Sequence, residues 1–398
     1  MLRLALKMLM GDRAKYAGLI FGITFTSFLV TFAFSYFCGF MTRGFALIAE
    51  NPVANVWVMD PAVESPEQTI NLPDSALNRV RSIEGVNAAW PLALSTAVAR
   101  FPNGRFQPFQ VICADDATLA GVPALKDGAS PAMLRAPDAV IVDPGGTDGK
   151  LETPILKSDQ WPSGEPHLNA PTRELAVGDE LLINDRRVLI RARSDALPRY
   201  PPLPLLYTTF PNCARILLPE PHLLTFVLAT AAPGVFPSDL AARIHDRTGL
   251  KARSSEDFKA DTVRWFLINS EDVGDIAAML SLAMSVGFGV TGVMLYMFTN
   301  ESLKQYAVLK AMGASSRLLL TMILAQAGLC ALLGTGLGLG LCGIVGQLAI
   351  DQANYPFRMM WFTPVVGAVM VLLVSLVAAA ISARPVLKLE PGVVFAGR

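Results

Sequence analysis

The sequence predicts an α-helical membrane protein with four transmembrane helices plus an α+β domain outside the membrane. Three observations support this fold class. Apolar residues make up 52% of the 398-residue chain and charged residues only 17%, a balance that is unusual for a soluble domain. The apolar residues concentrate in long segments near the two ends of the chain. The polar middle, residues 41–270, alternates strand-like and helix-like segments, which indicates a mixed domain.

Four segments are apolar over the length of about 20 residues that a helix needs to cross a bilayer. They are residues 16–40, 271–299, 318–350 and 362–383. A cleaved signal peptide is the alternative for the first segment, although its apolar stretch is too long and no clear Ala-x-Ala site follows it.

The third apolar segment is long and rich in glycine, so we expect it to tilt or to extend beyond the bilayer. It carries two small-residue ridges, Gly334-x-x-x-Gly338 and Gly336-x-x-x-Gly340, which favour close helix packing. It also carries Gln326. An interhelical hydrogen bond is the favoured interpretation of this side chain, and a substrate contact is the alternative.

Basic residues that flank these segments predict the orientation of the chain, because short basic flanks stay in the cytoplasm. They cluster before the first span, within the short insert at residues 300–317, and after the fourth span. We therefore expect both termini and the insert to be cytoplasmic and residues 41–270 to lie on the other side. Residues 1–15 are expected to form an interfacial amphipathic helix and residues 384–398 a cytoplasmic tail.

The external domain contains two similar helical segments, residues 73–86 and 237–250. Each begins with proline and a capping residue, carries apolar residues three to four apart, and ends at glycine. They predict two β-α-β-type halves, residues 41–114 and 223–258, with a β-rich lobe inserted between them at residues 115–222. The alternative is that any short capped helix has this pattern.

Two further features of the external domain bear on its structure. Residues 257–275 carry apolar side chains at helical spacing, which predicts one continuous helix from the external domain into the second span. Cys113 and Cys213 are the cysteines that lie outside the apolar spans. Their spacing leaves open whether they form a disulfide.

The sequence offers no catalytic constellation. It has 3 histidines, no His-Glu-x-x-His motif and no Gly-x-Ser-x-Gly motif. The formal net charge of +0 gives no reason to expect nucleic acid as a partner. The spans contain no well-placed acid or base, which a transporter with an ion site at the midplane normally needs. An enzyme tethered to the membrane is therefore an unsupported interpretation.

The insert at residues 300–317 is the most informative segment. Residues 302–312 favour a helix, Gly313 is suited to end it, and Ser315 or Ser316 to cap the next span. Placing Lys304 or Lys310 in mid-bilayer would cost roughly 3 kcal/mol each, so the helix must lie at the cytoplasmic surface. Its apolar side chains are expected to contact either lipid headgroups or a groove on a soluble partner.

The insert also carries a family resemblance. It reads Leu-Lys-Gln-Tyr-Ala-Val-Leu-Lys-Ala-Met-Gly-Ala-Ser over residues 303–315. This resembles the coupling segment of MacB/FtsX-type ABC transporter permeases, usually R-E-(I/F)-G-x-L-(R/K)-A-(I/M)-G-A. Residues 383–391 resemble the family's P-x-x-A-L-x-x-x-P ending. Residues 55–60 and 113–119 look like the DevC branch, whose permeases lack a fused ATPase domain.

The resemblance implies a homodimeric permease in the inner membrane of a Gram-negative type of bacterium. A separate cytoplasmic ABC ATPase subunit would bind ATP and Mg²⁺, so no cofactor is implied in this chain. A periplasmic membrane-fusion adaptor would dock on the external domain, and the lipid bilayer would surround the spans.

The implied ATPase-coupling residues are those that match the family's segment and its first flank: Glu301, Leu303, Lys304, Gln305, Tyr306, Val308, Leu309, Lys310, Met312 and Gly313. The sequence departs from the family at two positions. Gln305 replaces the usual glutamate, which removes a charge that could pair with the ATPase. Ala307 replaces the usual glycine.

Two functions follow from this layout. The first is a permease subunit of an ABC exporter that couples ATP hydrolysis by its partner to a conformational change in the periplasm, within a tripartite efflux or secretion system. The alternative is an FtsX-like transmembrane signalling protein that regulates a periplasmic cell-wall enzyme. The sequence does not indicate a substrate.

Overall fold

The computed structural model describes residues 13–147, 149–156, 166–217 and 224–387. The chain divides into two units, a helical unit (Met1–Phe40 and Glu271–Arg398) and a sheet unit (Met41–Ser270). Most of the predicted interfacial helix at residues 1–15 and most of the predicted tail at residues 384–398 lie outside the described residues.

The α-helices of the described residues are numbered in chain order. They are α1 (Arg13–Gly44), α2 (Ala46–Ala49), α3 (Ser75–Arg81), α4 (Phe210–Ile216), α5 (Pro237–Thr248), α6 (Ser255–Asn269), α7 (Glu271–Glu301), α8 (Leu303–Ala311), α9 (Ser316–Ala353), α10 (Thr363–Ser382) and α11 (Arg384–Leu387).

The strands all belong to the sheet unit. They are β1 (Val56–Met59), β2 (Val86–Arg100), β3 (Phe106–Ala114), β4 (Ala139–Asp143), β5 (Glu152–Pro154), β6 (Thr172–Glu174), β7 (Glu180–Ile183), β8 (Arg186–Arg193), β9 (Leu205–Thr209), β10 (Phe226–Ala231) and β11 (Lys251–Ser254). Strands β5 and β6 form a separate two-stranded sheet, and the other strands form one mixed sheet.

Four helices are long and apolar enough to cross a membrane. They are Tyr16–Gly44, Glu271–Glu301, Ser316–Ala353 and Thr363–Val386. They share one apolar core, to which α1, α7, α9 and α10 all contribute.

Helix α1 packs tightly against two glycines of α9. A β-carbon at Gly334 would lie 2.8 Å from Ile23, and one at Gly338 would lie 2.6 Å from Ser27. Neither glycine therefore has room for a side chain. At Gly336 and Gly340 an added β-carbon would have no described atom within 4 Å. Only the first of the two predicted ridges thus packs against another helix of the described residues.

The predicted continuous helix over residues 257–275 is interrupted. Helix α6 ends at Asn269, Ser270 has an extended backbone (φ −90°, ψ 125°), and α7 begins at Glu271. The helical spacing of apolar residues continues across this break. A periodic pattern of side chains does not depend on the backbone conformation of a single polar residue, so it could not indicate the break. The expectation of one continuous helix was therefore wrong.

The first part of the mixed sheet is built from two interlocking β-α-β pieces, β1-α3-β2 and β10-α5-β11. Its strand order is β11-β1-β10-β2, and each neighbouring pair is antiparallel. This is the arrangement of a split β-α-β fold. The two helical segments of the predicted repeat occupy equivalent places in it, and both end at glycines with positive φ, Gly85 and Gly249.

Strand β2 continues into the second part of the sheet. Its first half pairs with β10 and its second half with β3. The order then runs β3-β9-β4-β8-β7, and β7 pairs back with β2 at Ala99↔Ile183 and Arg100↔Leu182. This part is a closed barrel with an apolar interior. The predicted lobe therefore shares β2 with the two halves, rather than forming a sheet of its own.

Cys113 and Cys213 form a disulfide, which the sequence had left open. The bond joins the end of β3 to α4, and both cysteines are fully buried in the barrel core. The remaining cysteines, Cys38, Cys330 and Cys342, are not disulfide-bonded and belong to the helical unit.

A buried ion pair lies in the sheet unit. Nη2 of Arg199 donates to Oε2 of Glu50 at 2.8 Å, and each side chain is only 7% exposed. The same guanidinium donates to the hydroxyl of Tyr207 at 3.1 Å and to Oε1 of Gln110 at 3.1 Å. Burial raises the pKa of Glu50, and the charge of Arg199 opposes this shift.

Glu67 is expected to make the stability of the sheet unit depend on pH. Burial raises its pKa from 4.5 to about 7, and the charge of Arg199 partly opposes the rise. The folded state then holds this proton more tightly than the unfolded state. We expect the free energy of unfolding to fall as pH rises from about 4.5 to about 7.

Thermal unfolding of the full chain in detergent, followed between pH 5 and 8 by tryptophan fluorescence, measures this slope. The decline should be shallower in Glu67→Gln. It should keep its wild-type slope in Glu180→Gln, which changes an exposed glutamate of β7. A wild-type slope in Glu67→Gln would contradict the assignment.

Candidate functional site

Helix α8 forms the insert between the membrane-length helices α7 and α9, as the sequence predicts. Its C-terminal end is closed by two hydrogen bonds, from the N–H of Gly313 to the carbonyl of Lys310 (3.1 Å) and from the N–H of Ala314 to the carbonyl of Leu309 (3.0 Å). This is a Schellman turn, and it requires the φ of +94° that Gly313 adopts. The chain therefore reverses from α8 into α9 at a fixed corner.

The start of α9 is also fixed. The Ser315 hydroxyl accepts a hydrogen bond from the N–H of Leu318 at 3.3 Å, so Ser315 is the N-cap. Of the two serines that the sequence offered for this role, Ser315 is the one that the structure uses. At the other end of α8, Ser302 connects it to α7, with hydrogen bonds from Ser302 N–H to Phe298 and from Tyr306 N–H to Ser302.

The inner face of α8 packs into the core of the helical unit. Tyr306 and Ala307 are fully buried. Leu303 and Leu309 are partly buried against the same core, which also contains Val386 of α11. The Tyr306 hydroxyl donates to Oε1 of Gln326 on α9 at 3.0 Å. This contact agrees with the interhelical hydrogen bond that was favoured for Gln326.

The exposed face of α8 includes two apolar side chains. Val308 is 44% and Met312 is 71% exposed. Their spacing of four residues places them on one side of the helix. Lys304 and Gln305 are exposed beside them. We call Lys304, Gln305, Val308 and Met312 the outer face of α8.

The structure separates the predicted coupling residues into three groups. The outer-face residues are exposed, as are Glu301 before the helix and Gly313 after it. Leu303, Leu309 and Lys310 have intermediate exposure. Tyr306 is buried, so its side chain lies within the helical unit and not on the surface. The sequence could not separate these groups, because apolar residues occur on every side of α8.

Ser302 and Gln326 are two residues that contact α8 but were not assigned to the site. Gln326 had a detectable signal, because it is a polar residue in the apolar third span. Ser302 had none. Among the described residues, no group of His, Cys, Asp and Glu side chains is arranged to hold a metal ion.

The chain was compared with solved structures, with curated proteins and with family models. Among solved structures, the chain is similar to the periplasmic region of MacB from Actinobacillus actinomycetemcomitans, with 12% identity over 54% of this chain and 96% of that one, and a TM-score of 0.35. It is also similar to the extracellular domain of the noncanonic ABC-type transporter YknZ from Gram-positive bacteria, with 13% identity over 50% and 98% of the two chains and a TM-score of 0.31. At these low TM-scores, neither likeness supports a conclusion about activity.

A search of curated proteins gives no significant match. The family "FtsX-like permease C-terminal" matches residues 277–391. This range includes most of α7, all of α8, α9 and α10, and the start of the tail. The C-terminal part of the chain, residues 277–391, is thus similar to the C-terminal domain of FtsX-like permeases.

Proposed function

We propose that this chain is the permease subunit of an ABC exporter that receives motion from a separate cytoplasmic ATPase subunit. The observation that carries this proposal is the exposed apolar outer face of α8, which joins two membrane-length helices inside the matched permease domain. A solvated loop would have no need of Val308 and Met312 at its surface. A groove on a protein partner would bury them.

The partners follow from the same proposal. The permease acts as a homodimer in the inner membrane of a Gram-negative type of bacterium and resembles the DevC branch. The ATPase subunit holds ATP and Mg²⁺, and this chain hydrolyses no ATP. The sheet unit lies in the periplasm, where it docks a membrane-fusion adaptor of a tripartite system. The Cys113–Cys213 disulfide suits an oxidising compartment.

The local structure of α8 suits it to transmit a displacement. The Schellman turn and the Ser315 cap fix its C-terminal end. Burial of Tyr306 and Ala307 fixes which face of the helix packs against the core. A short helix held in this way moves as a whole when a partner displaces its outer face. Closure of the ATPase dimer would therefore move α8 together with the membrane helices to which it is joined.

The double substitution Val308→Asp/Met312→Asp tests the proposal. Each aspartate would place an unpaired charge in an apolar contact, so we expect the amount of co-purified ATPase subunit to fall at least about tenfold. The measurement is affinity purification of the tagged full chain from native membranes in mild detergent, with quantitative mass spectrometry of the nucleotide-binding subunit.

Val98→Asp/Phe106→Asp is a matched control, because it changes two exposed apolar residues of the sheet unit, 51% and 63% exposed. It should leave the amount of ATPase unchanged. If the wild type and the α8 variant co-purify with equal amounts of the ATPase subunit, the proposal is wrong. Leu309→Asp is a poorer test, because Leu309 packs against the core of the helical unit.

The FtsX-like match also fits the signalling function as a second candidate. In that case the ATPase would still bind α8, and the sheet unit would act on a periplasmic cell-wall enzyme instead of an adaptor. Deletion of the gene separates the two. Loss of export supports the exporter, whereas normal export with a defect in division or in the cell wall supports the signalling protein.

A further inference from the structure

Helix α8 is attached to α9 at two points. One is the Schellman turn with the Ser315 cap at the C-terminal end of α8. The other is the hydrogen bond from Tyr306, close to the middle of α8, to Gln326. At a rise of about 1.5 Å per residue, Gln326 lies about 15 Å along α9 from Ser316. The two attachments are therefore well separated, and together they fix the direction of α8 along α9.

The second attachment is made in an apolar setting. Tyr306 is 0% and Gln326 is 3% exposed, and Tyr306 belongs to the core cluster that includes Leu319, Met322 and Ile323 of α9. Water does not compete for a hydrogen bond in such a place, so loss of either group leaves the other buried without this partner. Packing alone would tolerate small rotations of α8, but a directional hydrogen bond does not.

The junction of α8 with α7 is of a different kind. A single residue, Ser302, separates the two helices, and its φ of −84° and ψ of 2° depart from the α-helical region. Its N–H donates to the carbonyl of Phe298 in α7, and its carbonyl accepts from the N–H groups of Gln305 and Tyr306 in α8. The α7 side therefore connects to α8 through the backbone at one end, whereas the α9 side holds the middle and the C-terminal end of α8.

We propose that Tyr306 and Gln326 form a positioning pair that clamps α8 onto α9, so that a load on the outer face of α8 is delivered to α9 as one lever. The source of the load rests on the function proposed above. The clamp itself is a property of this chain alone, and the two are tested separately.

The clamp is tested by hydrogen–deuterium exchange of the full chain in lipid nanodiscs. In Tyr306→Phe the amides of residues 303–311 should exchange about two- to tenfold faster than in the wild type, because one buried hydrogen bond no longer holds the helix. Gln326→Leu should have a similar effect. The double variant Tyr306→Phe/Gln326→Leu should lose less than the sum of the two, because both substitutions remove the same hydrogen bond.

Tyr296→Phe is the matched control, since it removes the hydroxyl of a 50% exposed tyrosine on α7. It should leave exchange at residues 303–311 unchanged. Wild-type exchange in Tyr306→Phe, or strictly additive effects in the double variant, would overturn the clamp. A merely structural role in packing would not produce this non-additivity, because Phe keeps the ring and Leu fills part of the space of Gln.

The transmission step is tested by the ATPase activity of the subunit that co-purifies with the chain. In Tyr306→Phe the maximal turnover stimulated by the permease should fall about threefold or more, while the concentration for half-maximal stimulation stays the same, because the outer face is intact. In Val308→Asp/Met312→Asp that concentration should rise instead. If exchange changes but turnover does not, the clamp exists without transmitting load, and this part is wrong. If the wild type binds no ATPase, the proposed function fails, and exchange still decides the clamp.

Discussion

Replacing Arg199 by methionine is expected to destabilise the sheet unit by about 3–5 kcal/mol, the usual cost of leaving a buried charge without its partner. Glu50 is only 7% exposed and would lose its counter-charge. The Tyr207 hydroxyl and Gln110 would lose a donor as well. Hydrogen exchange at the amides of β4 and β9, measured in the full chain at constant pH, should report this loss as faster exchange of these strands.

Two variants make the result specific to the buried pair. Arg193→Met changes a neighbouring arginine whose partner, Glu174, is 73% exposed, and it should cost less than about 1 kcal/mol. Arg199→Met/Glu50→Leu removes both charges and should recover much of the loss, because no unpaired charge remains. If Arg199→Met is as mild as Arg193→Met, the ion pair does not stabilise the fold.

Breaking the Cys113–Cys213 disulfide is expected to lower the stability of the sheet unit by a similar amount. The two cysteines are 100 residues apart in sequence, and a cross-link over so long a segment restricts the unfolded chain strongly. We expect Cys113→Ser/Cys213→Ser to lower the free energy of unfolding of the sheet unit by about 2–5 kcal/mol. The measurement is the unfolding midpoint of the full chain in detergent, with and without a reductant.

The reductant supplies the internal control. It should lower the midpoint of the wild type and leave that of the double variant unchanged. A variant with alanine at Cys38, Cys330 and Cys342 should still respond to the reductant, because these cysteines are not part of a disulfide. Thiol labelling of the denatured, unreduced wild type should detect those residues alone. Labelling of all 5 cysteines would show that the bond does not form.

The candidate site could be predicted from the sequence where local rules govern it. Gly313 and Ser315 act as the sequence indicated, because helix ends depend on residues within one turn. The burial of Tyr306 could not be predicted in the same way. Apolar residues lie all around α8, so the periodicity does not select a face, and the choice depends on a contact with Gln326 in another helix.

The same distinction between local and long-range determinants applies to the fold. The two similar helical segments indicated two similar β-α-β pieces, because each piece is local in sequence. Closure of the barrel was not predicted, since it depends on the pairing of Ile183 with Ala99, strands far apart in the chain. The pairing of Glu50 with Arg199 was equally hidden, because a charged residue in a sequence usually indicates a solvated surface. The break at Ser270 reflects the conformation of one residue, which no periodic pattern records.

Closure of the barrel has a consequence for aggregation. An open strand edge is a template on which another chain can add a strand. In the large sheet of the described residues, the pairing of β7 with β2 leaves β11 as the remaining terminal strand. Strand β11 is only four residues long and carries Lys251 and Arg253, and short, basic edges resist pairing with copies of themselves. The sheet unit should therefore stay dispersed at the high local concentrations that accompany its synthesis.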